Sequence, residues 1–301
     1  MHRRPGRPRR DAIGVSAPAP LPARTRFLEA DAYRVAREWN RYEGTPQRDL
    51  FRELRERFLR RHSREDGWAI DLGAGPKRYT PLVGGDRARR VALDLSRAML
   101  RWSPPGSSVA GRCRIDAVQG DGIDPPVRRD SFNTVALLGN TLGFAGPESG
   151  RLLKAAIELV GPGGVLLVEV APGPGEHSRY LARLPATAVG RLLRAPPRAL
   201  LGRIEREGFE PDPPRRAGTD AFRRMKAEEL RATLERAGFH VEEVLAVAPA
   251  LGSEPERVAE VRLDPKGWEH LLAIEETLGR SPERWPSAAA VLLAAARAPA
   301  A

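Results

Sequence analysis

The amino-acid sequence predicts an α/β fold built on a doubly wound parallel sheet. Residues 67–75 form an apolar run that ends in an acidic, glycine-rich turn, as a buried strand does when it leads into a tight loop. A second apolar run, residues 91–94, ends in Asp94. Strand-like runs then alternate with helix-like patterns up to residue 170, and this alternation is typical of a parallel sheet covered by helices.

Two segments precede the first strand. Residues 1–24 are basic and rich in proline, and we expect them to form a disordered tail. Residues 25–64 are expected to form a helical cover. Within it, a threonine followed by Pro46 is typical of a helix start, and apolar residues at helical spacing predict a helix from Pro46 to Arg61. A shorter helical segment, capped by Asp31, is predicted to come before it.

The core domain is predicted to span residues 65–301, with elements defined by apolar runs and by capping residues at helix ends. In chain order, the predicted elements up to residue 170 are a strand at Ile70, strand 90–94, helix 96–102, strand 115–119, strand 132–138, helix 147–160 and strand 164–170. The later ones are a helix from Met225 to Ala237, a strand from Phe239 to Val247, and a helix from Pro265 to Leu278 with Trp268, Leu271, Leu272 and Ile274 on its apolar side.

The glycine-rich turn differs from the dinucleotide-binding fingerprint. The spacing G-x-G-x-x-G requires a third glycine at position 78, where this chain has Arg78. The turn also carries Asp71 before its first glycine, and that carboxylate would repel a pyrophosphate but suits an ammonium group. Asp94 ends the next strand, where the ribose of a nucleotide would lie. The pattern therefore favours S-adenosylmethionine over NAD.

Taken in order, these motifs make the chain similar to the class I S-adenosylmethionine-dependent methyltransferases. The matching segments are 71–75, 91–96, 120–126, 132–140 and 160–169, which resemble the family's first three motifs, its fourth strand, and the turn and fifth strand. The resemblance implies a Rossmann-like sheet, mostly parallel, whose last strand is antiparallel. Residues 288–297 are the candidate for that strand, with an alanine-rich helix as the alternative.

The resemblance also implies cofactor-binding roles. Asp71 would hold the methionine part of the cofactor together with Gly73, Ala74 and Gly75, Asp94 would take both ribose hydroxyls, and Asp121 would receive the adenine amino group. Leu95 and Gly122, next to these acids, are further predicted cofactor-binding residues. A single aspartate at a strand end is usually a helix cap or a solvated loop residue, so the prediction depends on their joint spacing. The chain departs from the family pattern at Lys77, where a glycine is common, and at Asn133, where an aspartate is frequent.

Candidates for catalysis and acceptor binding are fewer, because methyl transfer needs alignment of donor and acceptor more than a fixed set of catalytic groups. Asn140 follows the fourth strand and could orient an acceptor, or close an Asx turn. His177 is a candidate base, or a solvated loop histidine. Tyr33, Trp39 and Tyr42 could stack on a planar acceptor, or anchor the helical cover in the core.

Residues 172–219 interrupt the core pattern with prolines, glycines and arginines. Such a segment after the fifth strand leaves the sheet at its carboxyl edge, where ligands bind, so it is a candidate substrate lid; a variable surface insertion is the alternative. Arg191, Arg194, Arg198 and Arg203 give it a predicted basic helix face.

Composition leaves three functions open. The chain of 301 residues carries a net charge of +11, but five of its arginines lie among the first ten residues. A methyltransferase acting on a small molecule is the leading hypothesis, an RNA or ribosome-component methyltransferase the second, and a noncatalytic binding protein with the same fold the third. The single cysteine, Cys113, and the lack of a long apolar run favour a cytoplasmic protein without a metal site or membrane span, while the oligomeric state stays open.

Overall fold

A computed structural model describes residues 32–40, 43–103, 114–172, 209–210, 222–288 and 291–300. Its helices are α1 Ala32–Asn40, α2 Pro46–His62, α3 Arg97–Arg101, α4 Thr141–Ala145, α5 Ser149–Leu159, α6 Ala227–Arg236, α7 Pro255–Arg262 and α8 Pro265–Gly279. Its strands are β1 Trp68–Leu72, β2 Arg89–Asp94, β3 Ile115–Gln119, β4 Phe132–Leu137, β5 Val160–Val170, β6 Phe209–Glu210, β7 Phe222–Arg223, β8 His240–Ala246 and β9 Leu292–Arg297. Short 3₁₀ turns cover Thr80–Leu82, Gly146–Glu148 and Pro282–Ser287.

Seven strands form one sheet in the order β3-β2-β1-β4-β5-β9-β8. Strands β1 to β5 pair in parallel, whereas β9 runs antiparallel to both of its neighbours, β5 and β8. The antiparallel last strand is therefore confirmed, and the alternative of an alanine-rich helix is wrong. Residues 292–296 are buried between helices on both faces, a position where small side chains and ladder hydrogen bonds offset the poor strand propensity of alanine.

Alternating residues of the sheet feed two apolar layers. Ile70, Val135 and Val168 face one layer, and their neighbours Ala69 and Leu167 face the other. Helix α2 covers the second layer with side chains that recur at helical spacing, Leu50, Leu54 and Phe58. The helix starts at Pro46 as predicted, and the Thr45 side chain accepts a hydrogen bond from the Arg48 amide.

The described helices also correct one residue of the sequence analysis. Ile274 was expected on the apolar side of α8, but it is 52% exposed. The buried side of this helix instead continues from Leu271 to Glu275, whose carboxylate accepts hydrogen bonds from the Ala250 and Leu251 amides. An acid thus occupies a position that apolar periodicity could not reveal.

The predicted tail and most of the predicted lid lie outside the described residues. At the carboxyl end of β5, Pro172 forms a bridge with Met225, and Arg224 Nη1 donates to the Pro172 carbonyl at 3.2 Å. Strand β7 packs on α4. The boundaries of the three predicted regions stay predictions. None of the helices in the described segments is long and apolar enough to cross a membrane.

Candidate functional site

A cleft opens at the carboxyl ends of β1, β2 and β4, and it encloses about 1150 Å³ including its open mouth. All of the residues predicted to bind a cofactor lie in its wall, namely Asp71, Gly73, Ala74, Gly75, Asp94, Leu95, Asp121 and Gly122. Ligands of doubly wound sheets bind at this edge. The structure thus brings the predicted residues together, while their contacts with a ligand stay a prediction.

The loop after β1 owes its shape to two glycines in the left-handed region. Gly73 has a φ of +72°, and a Cβ at this position would lie 2.7 Å from Thr141 Oγ1. Gly75 has a φ of +52°, and no atom lies within 4 Å of the place of its Cβ. The amides of Gly73 and Ala74 donate to the Leu93 carbonyl at 2.8 and 3.1 Å, which ties the loop to β2. The loop therefore leaves open space beside Gly75.

Lys77 explains how this loop tolerates a residue where the family commonly has glycine. Its φ is +62°, a left-handed conformation that glycine adopts more easily. The Lys77 ammonium donates to the Leu100 carbonyl and, at 3.0 Å, to the Trp102 carbonyl, both at the end of α3. These bonds offset the conformational cost and fix the loop against α3. Burial lowers the pKa of Lys77.

Asp94 closes the other side of the loop. Its Oδ2 accepts a hydrogen bond from the Gly75 amide at 2.8 Å, and its Oδ1 accepts one from the Ser96 amide at 2.7 Å. Burial raises the pKa of Asp94, although these two bonds oppose the rise. A carboxylate can accept about four hydrogen bonds, so capacity remains for a pair of hydroxyl donors.

Asp71 is a buried carboxyl on the floor of the cleft, with 2% of its surface exposed. Burial raises its pKa to about 7, with smaller contributions from the charges of Asp94 and Glu169 and an opposing hydrogen bond from Thr80. That bond joins Thr80 Oγ1 to Asp71 Oδ2 at 2.6 Å. Because the charged form is disfavoured here, a cation bound beside Asp71 would restore its ionisation.

Asp121 follows β3, which β2 separates from β1 in the sheet, and it lines the cleft opposite the glycine-rich loop. Its Oδ1 accepts a hydrogen bond from the Ile123 amide at 3.0 Å, which shapes the turn that presents Gly122 to the cleft. Asn133, the other departure from the family pattern, lies outside the cleft wall and accepts a hydrogen bond from the Trp68 amide at 3.2 Å.

The structure places Asn140 beside the cleft rather than in its wall. Its neighbours Gly139 and Thr141 line the cleft, whereas Asn140 is a left-handed residue with a φ of +62° and 9% exposure. Its side chain does not cap α4. Within the described residues, Asn140 Oδ1 is buried without a hydrogen-bond partner, an uncommon state for a polar atom.

The other predicted acceptor and catalytic residues are only partly described. His177 and Tyr42 lie outside the described residues, as do Arg191, Arg194, Arg198, Arg203 and the side chain of Tyr33. The Trp39 ring packs on the Trp102 ring with 5.0 Å between centroids, and the Arg78 guanidinium lies 4.3 Å from the Trp39 centroid. Trp39 thus joins α1 to the site without lining the cleft, and its contact with an acceptor stays a prediction.

Several cleft residues escaped the sequence analysis. They are Glu38 from α1, Arg78 and Tyr79 after the glycine loop, Thr141 and Phe144 from α4, and Leu152 from α5. Arg78 and Tyr79 follow the loop directly, so proximity to it was the available signal. In the described segments, no group of three histidine, cysteine, aspartate or glutamate side chains is arranged to hold a metal ion.

No protein-family model matches the sequence, and no curated protein matches it significantly. Solved structures share its fold. An S-adenosylmethionine-dependent methyltransferase of Methanosarcina mazei has a TM-score of 0.51 at 13% identity, with 81% of this chain and 98% of that chain covered. A Haemonchus contortus phosphoethanolamine N-methyltransferase, in complex with phosphomonomethylethanolamine and S-adenosylhomocysteine, has a TM-score of 0.51 at 15% identity, with 93% and 61% covered. A Haloferax volcanii complex of a methyltransferase with the Trm112 activator gives 0.50 at 18% identity, with 90% and 99% covered. The predicted class I methyltransferase fold is therefore confirmed.

Proposed function

We propose that the chain is an S-adenosylmethionine-dependent methyltransferase that acts on a small-molecule acceptor. The observation that carries the proposal is the meeting of Asp71, Asp94 and Asp121 in one cleft, from three adjacent strands. The Methanosarcina neighbour is a methyltransferase dependent on the same cofactor, and the Haemonchus neighbour contains S-adenosylhomocysteine. Both support the proposal.

The residues present fit the cofactor. The open space beside Gly75 admits a ligand next to the loop amides, and the spare acceptor capacity of Asp94 suits the pair of ribose hydroxyls. Asp71 suits the ammonium of the methionine part, since its buried carboxyl gains most from a cation. Asp121, near the far end of the cleft, suits the adenine amino group.

The chemistry then requires little covalent participation from the protein. When bound, S-adenosylmethionine supplies an electrophilic methyl group, which an acceptor takes by direct displacement. The chain's residues hold the reactants in line and exclude water, with Leu138 and Phe144 forming apolar wall and α1 contributing Glu38. Asn140 keeps its predicted role of orienting the acceptor, which it would perform from beside the cleft, where its buried Oδ1 has no hydrogen-bond partner among the described residues. His177 stays a predicted base for an acceptor that must lose a proton.

A small acceptor fits the chemistry of the cleft wall. The cleft wall joins the apolar side chains of Leu138 and Phe144 to the charged side chains of Glu38 and Arg78. A wall that combines apolar side chains with a few charged ones is typical of small-molecule sites.

Calorimetry with S-adenosylmethionine and S-adenosylhomocysteine tests the proposal. We expect micromolar binding by the wild type and at least about tenfold weaker binding by Asp94→Ala, because both ribose hydrogen bonds are lost. Asp124→Ala is the matched control, since Asp124 is exposed on the nearby loop and lies outside the cleft wall. A folded wild type that binds neither compound would refute the cofactor assignment and favour a noncatalytic protein.

Once binding is established, a panel of metabolite-sized acceptors tests the substrate class. Conversion of S-adenosylmethionine that depends on one of them, and that Asp94→Ala reduces, is the expected result. Turnover with RNA alone would overturn the small-molecule assignment while leaving the methyltransferase assignment intact.

A further inference from the structure

A buried ion pair lies directly behind the cleft. Arg55 of α2 donates from Nε to Glu169 Oε2 at 2.8 Å and from Nη2 to Glu169 Oε1 at 3.3 Å. The side chains of Arg55 and Glu169 are 2% and 0% exposed. This two-bond fork holds both groups in a defined geometry, because guanidinium and carboxylate planes match each other.

The sheet register places Glu169 at the level of the cleft floor. Leu137 of β4 is paired with Val168 of β5, so Glu169 lies beside Leu138, which lines the cleft. Asp71 is paired with Ala136 of β4, which is paired with Leu167 of β5. Leu167 and Glu169 are two positions apart on one strand, so Asp71 and Glu169 lie on the same face of the sheet. Helix α2 covers this face.

Arg55 also contacts the segment that completes the Asp71 site. Its guanidinium carbon lies 5.9 Å from the centroid of the Tyr79 ring, a cation–π contact, and Tyr79 lines the cleft. The next residue, Thr80, donates the 2.6 Å hydrogen bond to Asp71. Helix α2 packs against the Thr80–Leu82 turn as well. A continuous set of contacts therefore runs from Glu169 through Arg55 to Tyr79, Thr80 and Asp71.

Core stability alone does not account for this pair. Removing two charges from water is costly, and apolar side chains of similar volume usually stabilise a core as well as a buried ion pair does. What apolar side chains cannot supply is a fixed fork that orients its neighbours. The fork lies next to Tyr79 and Thr80, the segment that holds Asp71, and this location indicates that the fork orients that segment.

We propose that Arg55 and Glu169 are positioning residues for the amino-acid end of the cofactor. They hold Tyr79 and Thr80 in place and, through Thr80, the Asp71 carboxyl. The inference rests on the proposed function, since it assigns the Asp71 end of the cleft to the ammonium of S-adenosylmethionine. It adds to the proposed cofactor site two residues, Arg55 and Glu169, that would act through their neighbours without touching the ligand.

The test replaces both partners together, Arg55→Met with Glu169→Leu, so that no buried charge is left unpaired. Urea unfolding is expected to show the wild-type midpoint. Calorimetry is then done with two ligands: S-adenosylhomocysteine, and methylthioadenosine, which is the same nucleoside without the amino-acid part. We expect the Kd of S-adenosylhomocysteine to rise about tenfold, as for one misplaced charged contact, with the Kd of methylthioadenosine unchanged within about twofold.

A matched control replaces another ion pair of the same helix, Arg57→Met with Glu269→Leu. Arg57 and Glu269 pair on the surface between α2 and α8, away from the cleft, so both dissociation constants should stay at their wild-type values. If the buried double variant fails to fold, Arg55→Lys keeps the charge but loses the fork, and it should show the same selective loss at about threefold.

The outcomes separate the two proposals. Unchanged binding of both ligands by a stable double variant, or an equal loss of both, would overturn the positioning role while leaving the cofactor site standing. If the wild type binds neither ligand, the proposed function is overturned, and the positioning role with it.

Discussion

Asp71 makes a pH-dependent contribution to the stability of the ligand-free protein, and replacing it with asparagine should favour the folded state increasingly as the pH rises. The pKa of Asp71 is raised from 3.8 to about 7, chiefly by burial. Between these two values the unfolded chain ionises while the folded carboxyl keeps its proton. Stability from this group is therefore fully present below pH 3.8 and is lost as the pH rises through 7.

The structure sets the size of the effect. A pKa difference of roughly three units corresponds to about 4 kcal/mol of unfolding free energy, which is an upper limit because the site can relax. Asp71→Asn removes the ionisation but keeps the shape, and its side-chain oxygen can still accept the Thr80 hydrogen bond. The added amide hydrogens cost about 1–3 kcal/mol if they find no acceptor, but this cost does not change with pH.

The assay is urea unfolding of the ligand-free wild type and Asp71→Asn from pH 4 to pH 8. The free energy of the variant minus that of the wild type should rise with pH by about 2–4 kcal/mol and level off above pH 7. Asp124→Asn, which alters an exposed carboxylate of the same edge of the sheet, should give a flat difference. A flat or falling difference for Asp71→Asn would refute the reasoning, because it would mean that Asp71 is already ionised in the folded protein.

Two further predictions follow from the geometry. Gly73→Ala should lower the unfolding free energy by about 2 kcal/mol or more, since it adds a clash with Thr141 to the strain of a positive φ. Gly75→Ala should lower it by only about 1 kcal/mol, yet it should abolish cofactor binding. Equal urea midpoints for the two variants would contradict this prediction. Burial opposes ionisation of Glu243, but the His62 hydrogen bond and the Arg61 charge lower its pKa to about 2. The contribution of Glu243 to the unfolding free energy is therefore present above about pH 4.5 and is lost as the pH falls through 2. Glu243→Gln should therefore lose about 1–3 kcal/mol at pH 7 and nothing near pH 2, with Glu235→Gln, from an exposed helical pair, as a control that loses almost nothing at either pH.

Local signals in the sequence predicted most of the sheet and the cofactor side of the cleft. Apolar runs bounded by glycine and proline predicted strands β1 to β5, and the N-cap pattern at Pro46 predicted α2. These features depend on neighbours along the chain, which a sequence displays directly. The short helix α4 was missed because five residues that include Gly143 carry no periodic pattern.

Contacts between distant segments set the rest of the site. Arg55 and Glu169 are 114 positions apart, and nothing in either segment identifies the other as its partner. Glu169 nevertheless carried a usable signal, since an acid inside the apolar run 165–171 must find hydrogen-bond donors or a cation when the strand is buried. The partner becomes evident only when the register of β5 against β4 is known.

The distribution of charge links the site's stability cost to its function. Burial raises the pKa values of both Asp71 and Asp94, and the charge of Asp94 adds to the cost of ionising Asp71. A core selected for stability alone would not bring them together. The proposed cofactor, with its ammonium and sulfonium groups, would offset this repulsion, and its hydroxyls would use the acceptor capacity that the Gly75 and Ser96 amides leave on Asp94. Under the proposed function, the two carboxyls that are costly to ionise in the ligand-free fold are therefore those that a bound cationic nucleoside would stabilise.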